Sequence, residues 1–106
     1  MRVALERIKT DAGRRWATAR KDRLVRIIAE GWWYWRPNRI GYTNLAERAG
    51  VYTLEDAIDA SGHCGTEKRI VYEFLPEGQY EPTQAPSGPA MLMLRTKYFL
   101  KENDGG

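Results

Sequence analysis

The sequence predicts an α+β fold in which a small antiparallel sheet of about four or five strands carries one short helix. Short segments rich in Val, Ile, Trp and Tyr alternate with Gly, Pro and Asn, a pattern typical of strands joined by turns. One segment, residues 54–61, instead combines an N-capping threonine with helical spacing of its apolar residues. At 106 residues the chain has the length of one domain, so we expect a single domain over residues 1–106.

The first element is ambiguous. Residues 1–22 form a basic arm, and the Asp-Ala-Gly run at 11–13 supplies turn residues for an extra hairpin, the interpretation that we favour. Alternatively, a short helix begins near Val3 and ends at Gly13.

Residues 23–28 and 32–36 predict a second hairpin, because β-branched and aromatic side chains flank a short Ala-Glu-Gly link. Side chains alternate across a strand, so the aromatic run divides between the two faces. We expect Trp32 and Tyr34 on one face, with Trp33 and Trp35 on the other. One face then covers the core, and the other is available to a partner.

Proline ends the aromatic strand. Pro37 cannot donate a ladder hydrogen bond and favours an extended conformation at the preceding residue. Asn38 tolerates a left-handed conformation and Gly41 prefers one. We therefore expect an ordered loop over residues 36–42 that carries polar, charged and aromatic side chains: Arg36, Asn38, Arg39 and Tyr42.

Two helical segments follow this loop. In residues 44–50, Asn44 and Glu47 have the spacing of a capping box, and Gly50 ends a single turn. In residues 54–61, Thr53 is the predicted N-cap of a two-turn helix with an acidic outer face.

The last third of the chain begins with a strand in which Ile70, Tyr72 and Phe74 share a face. Residues 76–89 predict a proline-rich loop. Residues 90–100 fit a strand, although their Met and Leu content also suits a helix. Residues 101–106 are a predicted flexible tail.

Composition and charge narrow the functional classes. A hydrophobic content of 42% with 29% charged residues is typical of a soluble globular protein. The apolar runs are far shorter than the roughly 20 residues that span a bilayer, and the first residues lack the apolar core of a signal peptide. We therefore expect a cytoplasmic protein with no membrane partner.

Charge is distributed unevenly along the chain. Residues 1–39 carry eleven Lys or Arg against four Asp or Glu, a net charge of +7. Residues 40–106 carry six against ten, a net charge of −4. This division indicates an anionic partner or head-to-tail self-association, although two solvated faces explain it equally well.

The sequence offers little for catalysis. His63 and Cys64 are the only histidine and the only cysteine, and as neighbours they point in different directions without a third group to orient the base. A helix exit explains the Gly-His-Cys-Gly run more simply. Phosphate-binding glycine loops, zinc spacings and calcium loops are absent from the sequence. We expect neither enzymatic activity nor a cofactor or metal.

Residues 32–60 resemble a group of small uncharacterised proteins from phages and prophage regions. The shared pattern is an aromatic residue, Arg-Pro-Asn, Gly-Tyr-Thr, then Ala-Gly and a second Tyr-Thr before an acidic helix start. The matching residues are Trp33, Trp35, Pro37, Asn38, Gly41, Tyr42, Thr43, Leu45, Ala49, Gly50, Tyr52, Thr53, Glu55 and Ala57. The resemblance implies a phage-type origin, a bacterial host cell and a strand–loop–helix module, and it implies no reaction.

The leading hypothesis is a non-enzymatic protein that binds a host or phage protein, with inhibition of a bacterial host or defence protein as one concrete version. Trp, Tyr and Arg dominate interface hot spots because they bury a large area at low entropic cost. Self-association through the same surface is compatible with these residues. The predicted binding residues are Trp33, Trp35, Arg36, Asn38, Arg39 and Tyr42.

The alternative hypothesis is binding of single-stranded nucleic acid. Guanidinium and ammonium groups would meet phosphates, while exposed aromatic rings would stack on unpaired bases. The predicted residues cluster just before the aromatic strand and are Arg14, Arg15, Arg20, Lys21, Arg23 and Arg26. Recognised motifs of RNA-binding domains are missing from the sequence.

Overall fold

The computed structural model describes residues 1–83, which form an antiparallel six-stranded sheet with three helices on one face. The α+β prediction is confirmed. In chain order the elements are β1 (Arg2–Ala4), α1 (Leu5–Ile8), α2 (Asp11–Thr18), β2 (Leu24–Ala29), β3 (Trp33–Trp35), β4 (Tyr42–Thr43), β5 (Tyr52–Thr53), α3 (Leu54–Ser61) and β6 (Val71–Phe74). Short 3₁₀ turns span Pro37–Arg39, Ala46–Arg48 and Thr66–Lys68.

The sheet has the order β1-β6-β2-β3-β4, and β5 pairs with the first residues of β2. All pairs are antiparallel. Strand β2 is central because it pairs with β6 on one side and with β3 and β5 on the other. One hydrophobic cluster joins buried residues of β2 and β6 to residues of all three helices, which places the helices on the same face of the sheet.

The predicted hairpin of residues 23–28 and 32–36 is present as β2 and β3, with slightly different bounds. Its turn places Glu30 at φ 56° and Gly31 at φ 91°. The Trp32 N–H closes this turn on Ala29 O at 3.3 Å, and the positive φ of its two central residues matches the twist of the flanking strands. Trp32 belongs to this turn and therefore does not follow the alternation of the strand.

The helix predicted at residues 54–61 has those bounds in α3. The Thr53 Oγ1 caps it by accepting a hydrogen bond from the Asp56 backbone N–H at 3.1 Å. The helical turn before it is also present, but the capping box at Asn44 is wrong. Leu45 occupies the cap position without a side-chain cap bond, and the Leu45 N–H donates to Thr43 Oγ1 at 3.1 Å.

The hairpin favoured for residues 1–22 is wrong, because the Asp-Ala-Gly run is the first turn of α2 rather than a β-turn. Thr10 is the N-cap, and its Oγ1 accepts from the Gly13 N–H at 3.0 Å. The alternative helix ending at Gly13 is also wrong, since α1 ends at Ile8. Gly13 is needed for space: a Cβ there would lie 1.8 Å from the Arg7 carbonyl oxygen.

Strand β6 matches its prediction, with Ile70, Tyr72 and Phe74 all buried. Residues 76–83 contain neither helix nor strand. The Arg26 guanidinium carbon lies 5.5 Å from the centroid of the Tyr80 ring, and the Thr83 N–H donates to Val51 O at 2.9 Å. These contacts lead the chain from the end of β6 towards β5. Predictions for residues 84–89, 90–100 and 101–106 lie outside the described residues.

Candidate functional site

The aromatic run is extended, as predicted, but its strand is shorter than residues 32–36. Trp33 and Trp35 are half-buried and pack against the core cluster. Tyr34, on the opposite face, is paired with Ile28 on one side and with Thr43 on the other. Two residues predicted to bind a partner therefore also belong to the rim of the core.

Two ring pairs lie along β3, and we call their four residues the aromatic row: Trp32, Trp33, Trp35 and Tyr42. The ring centroids of Trp32 and Trp33 lie 4.9 Å apart, and those of Trp35 and Tyr42 lie 6.2 Å apart in an edge-to-face arrangement. Trp33 and Trp35 are next-but-one neighbours on a strand, about 7 Å apart along its axis. Trp32 and Tyr42, 59% and 49% exposed, bring the ends of this row to the surface.

The loop that follows has an unusual backbone. Asn38 and Arg39 are consecutive non-glycine residues with φ of 59° and 63°, and Gly41 has φ 79°. A left-handed conformation costs an ordinary residue roughly 1–2 kcal/mol. The loop therefore needs contacts that hold this shape.

The hydroxyl of Tyr52 supplies those contacts through two hydrogen bonds. It donates to the Arg36 carbonyl oxygen at 2.6 Å and accepts from the Arg39 N–H at 3.1 Å. Tyr52 is fully buried. Burial raises the pKa of its hydroxyl, against the opposing effects of the Arg39 hydrogen bond and charge. The hydroxyl is thus protonated at neutral pH and can donate and accept at once.

Gly50 also contacts the backbone of the loop. Its N–H donates to Trp35 O at 2.8 Å. A Cβ at this position would lie 2.6 Å from Tyr52 Cε1 and 3.0 Å from both the Arg36 carbonyl carbon and the Pro37 Cα. The absence of a side chain lets the loop backbone rest directly on this segment.

The outer side of the loop displays five exposed side chains, which we call the loop surface: Arg36, Asn38, Arg39, Ile40 and Tyr42. Ile40 is 69% exposed, the most exposed large apolar residue of residues 1–83. The Arg39 guanidinium pairs with the Asp59 carboxylate at 3.0 Å, which ties the loop to α3. No carboxylate among the described residues pairs with Arg36.

Sequence reasoning missed Ile40 and Trp32 as exposed members of this region. The signal for Ile40 was an isolated apolar residue next to Gly41 inside a loop otherwise rich in polar residues. Trp32 directly follows the turn residue Gly31, a position where the strand need not have begun.

The basic residues predicted for nucleic acid do not form one cluster. Arg26 lies on the sheet face opposite the helices, since its neighbours Val25 and Ile27 belong to the core. It pairs with Glu73 at 3.6 Å. Arg14 pairs with Asp11 at 3.0 Å, and Arg23 pairs with Glu77 at 3.4 Å.

The other three basic residues predicted for nucleic acid, Arg15, Arg20 and Lys21, have different surroundings. The Arg20 guanidinium carbon lies 4.3 Å from the centroid of the Trp16 ring. Arg15 and Lys21 are exposed, and neither forms an ion pair within residues 1–83.

His63 is exposed and Cys64 is half-buried just after α3. The Cys64 carbonyl oxygen accepts from Lys9 Nζ at 3.3 Å. Within residues 1–83, no group of three or more His, Cys, Asp or Glu side chains is arranged to hold a metal ion. None of the helices described has the length and apolar character needed to cross a membrane.

Comparison of the chain with protein-family models, with curated proteins and with solved structures found no match. The resemblance of residues 32–60 to phage and prophage proteins thus stays a prediction.

Proposed function

We propose that the protein is a non-enzymatic interaction protein that binds another protein through the loop surface and the exposed ends of the aromatic row. The observation that carries this proposal is the left-handed pair Asn38 and Arg39, held in place by the buried Tyr52 hydroxyl. Strained backbone persists where the surrounding structure over-determines it, and such positions cluster at ligand-binding sites. A loop fixed before contact also loses less conformational entropy on binding.

The chemistry of the exposed residues supports a protein as the partner. Ile40 and Tyr42 offer exposed apolar area on the same loop as the exposed Arg36, a combination of residue types found at the centre of protein interfaces. A host or phage protein is the proposed class of partner, including a bacterial defence or regulatory protein that binding would inhibit. That class rests on the resemblance of residues 32–60 to phage proteins.

Site-specific photo-crosslinking in bacteria tests this proposal. A benzophenone amino acid replaces Ile40 or Tyr42 in the full chain, with the exposed Thr18 of α2 as the control position. We expect the same protein adduct from positions 40 and 42, its loss when Arg36→Ala is added, and no such adduct from position 18. Equal adducts from position 18, or none from 40 and 42, would contradict the proposal.

A second candidate function is binding of single-stranded nucleic acid near α2. It is supported by the exposed Arg15 and Lys21 and by the Arg20 guanidinium stacked on Trp16. Such binding would fall steeply between about 50 and 200 mM salt, because phosphate contacts release counterions. The double variant R15Q/K21Q would lower the affinity and the salt dependence together. If generic single strands bind that variant as they bind the parent, this candidate fails.

A further inference from the structure

The edge of the sheet farthest from the loop surface is formed by β1. Strand β6 pairs with one side of β1, and no strand of residues 1–83 pairs with the other side. The Phe74 N–H donates to Met1 O at 2.8 Å, and the Leu5 N–H donates to Ile70 O at 2.9 Å. An antiparallel ladder alternates, so the backbone N–H groups of Arg2 and Ala4 point away from β6. Both are available to an added strand.

A groove lies beside this edge, between β1 and α2. Its volume is about 570 Å³. Its apolar lining consists of Met1, Val3, Ile8, Ala12 and Trp16. Val3 pairs with Tyr72, a residue of the core cluster, which places its side chain on the helix side of the sheet. Apolar side chains of an added strand would enter the groove from that side.

The opposite face of the same strands carries a row of alternating charge. Glu73 of β6 lies between Arg2 of β1 and Arg26 of β2, directly across the ladder from both. Its carboxylate is 3.1 Å from the Arg2 guanidinium and 3.6 Å from that of Arg26. A strand added next to β1 would place one side chain beside Arg2. A carboxylate there continues the alternation, whereas a cation is repelled.

We propose that the open edge of β1 binds an extended acidic peptide segment of a partner protein as an additional strand. Apolar side chains of this segment enter the groove beside Val3 and Trp16, and an Asp or Glu between them lies beside Arg2. Main-chain hydrogen bonds to the edge give affinity, and the alternate side chains give specificity. This site is at the other end of the sheet from the loop surface and does not depend on the proposed function.

Ala4 allows a clean test of the edge. Its φ of −75° and ψ of 144° are close to the geometry that proline requires. Ala4→Pro removes an N–H that points away from β6, and the preceding residue Val3 is already extended, as a residue before proline prefers. The variant should therefore fold normally and lose strand addition. Arg2→Gln keeps the backbone N–H groups of the β1 edge and removes the positive charge of the side chain.

The probes are two blocked heptapeptides, one alternating Val with Asp and one alternating Val with Lys, titrated into the full ¹⁵N-labelled chain. We expect the Asp peptide to shift the Arg2 and Ala4 amide signals and to slow their hydrogen exchange. Ala4→Pro should weaken binding at least about tenfold through the lost backbone hydrogen bond. Arg2→Gln should weaken it about two- to fivefold, the range of a cross-strand ion pair.

Three outcomes overturn the proposal. The first is equal binding of the Lys peptide, or binding that Ala4→Pro leaves unchanged while the variant keeps its urea midpoint. The second is protection of the Arg2 and Ala4 amides that grows with protein concentration before any peptide is added, which assigns the edge to a second copy of the chain. The third is the same protection at every concentration, which assigns the edge to residues 84–106.

Discussion

Two buried tyrosines hold different parts of this protein together. Tyr52 and Tyr72 are both fully buried, and both hydroxyls are hydrogen-bonded. The Tyr72 hydroxyl lies 2.7 Å from Ser61 Oγ, which itself donates to Ala57 O at 2.6 Å, so this network joins β6 to α3 inside the core. The Tyr52 hydroxyl instead bonds two backbone groups of a surface loop.

The two hydroxyls differ in which polar groups lose a hydrogen-bond partner when the hydroxyl is removed. Without the Tyr72 hydroxyl, Ser61 keeps its bond to Ala57. Without the Tyr52 hydroxyl, the Arg39 N–H and the Arg36 carbonyl both lose a partner next to strained backbone. A buried donor or acceptor that is left without a partner destabilises the fold more than the loss of both partners of a hydrogen bond does. The Tyr72 contact therefore stabilises the core, whereas the Tyr52 contact fixes the shape of the proposed binding surface.

The largest effect that we expect from this pair is on stability at alkaline pH. Burial raises the pKa of Tyr72 to about 12, despite the opposing effect of its hydrogen bond with Ser61. Below about pH 10 the hydroxyl is protonated in both the folded and unfolded chains. Between about pH 10 and 12 only the unfolded chain loses the proton, so the free energy of unfolding falls, by on the order of 2–3 kcal/mol in total.

Urea unfolding at several pH values measures this loss, and Tyr72→Phe is the control that isolates it from other titrating groups. The difference in stability between the parent and Tyr72→Phe should shrink or reverse across this range. A constant difference from pH 9 to 12 would show that Tyr72 ionises alike in the folded and unfolded chains.

We expect a smaller effect on stability from adding a side chain at Gly50, where the loop backbone packs. Gly50→Ala places a methyl group against Tyr52 and the backbone of Arg36 and Pro37, and overpacking of this kind costs about 1–3 kcal/mol. Gly65→Ala is the matched control, because its methyl group would meet only the flexible Glu67 carboxylate. Urea midpoints compare the two. Equal midpoints would mean that the loop does not rest on Gly50.

Local signals in the sequence predicted much of the fold. The helix of residues 54–61 was found because an N-cap, an apolar face and a terminating glycine agree, and β6 was found by its alternation. The start of the chain was mispredicted because Asp-Ala-Gly suits both a turn and a helix start. Thr10 directly before Asp11 is the signal that favours a capped helix over a turn.

The site was predicted in outline only. Pro37, Asn38 and Gly41 located the loop, since their backbone preferences are local. The Tyr52 hydroxyl beneath it could not be predicted, because the pairing of β5 with β2 that positions Tyr52 is a tertiary contact. The same limit applies to Trp33 and Trp35, whose contact with the core depends on which sheet face the helices cover.

Hydrogen exchange of the Arg39 amide reports on whether Tyr52 holds the loop. In Tyr52→Phe we expect this exchange to be faster by about tenfold, the equivalent of roughly 1.4 kcal/mol for the lost hydrogen bond. In Tyr72→Phe, at matched global stability, the Arg39 amide should exchange as in the parent. An Arg39 amide that exchanges at the parental rate in Tyr52→Phe, or equally faster in both variants, would contradict a loop held by Tyr52.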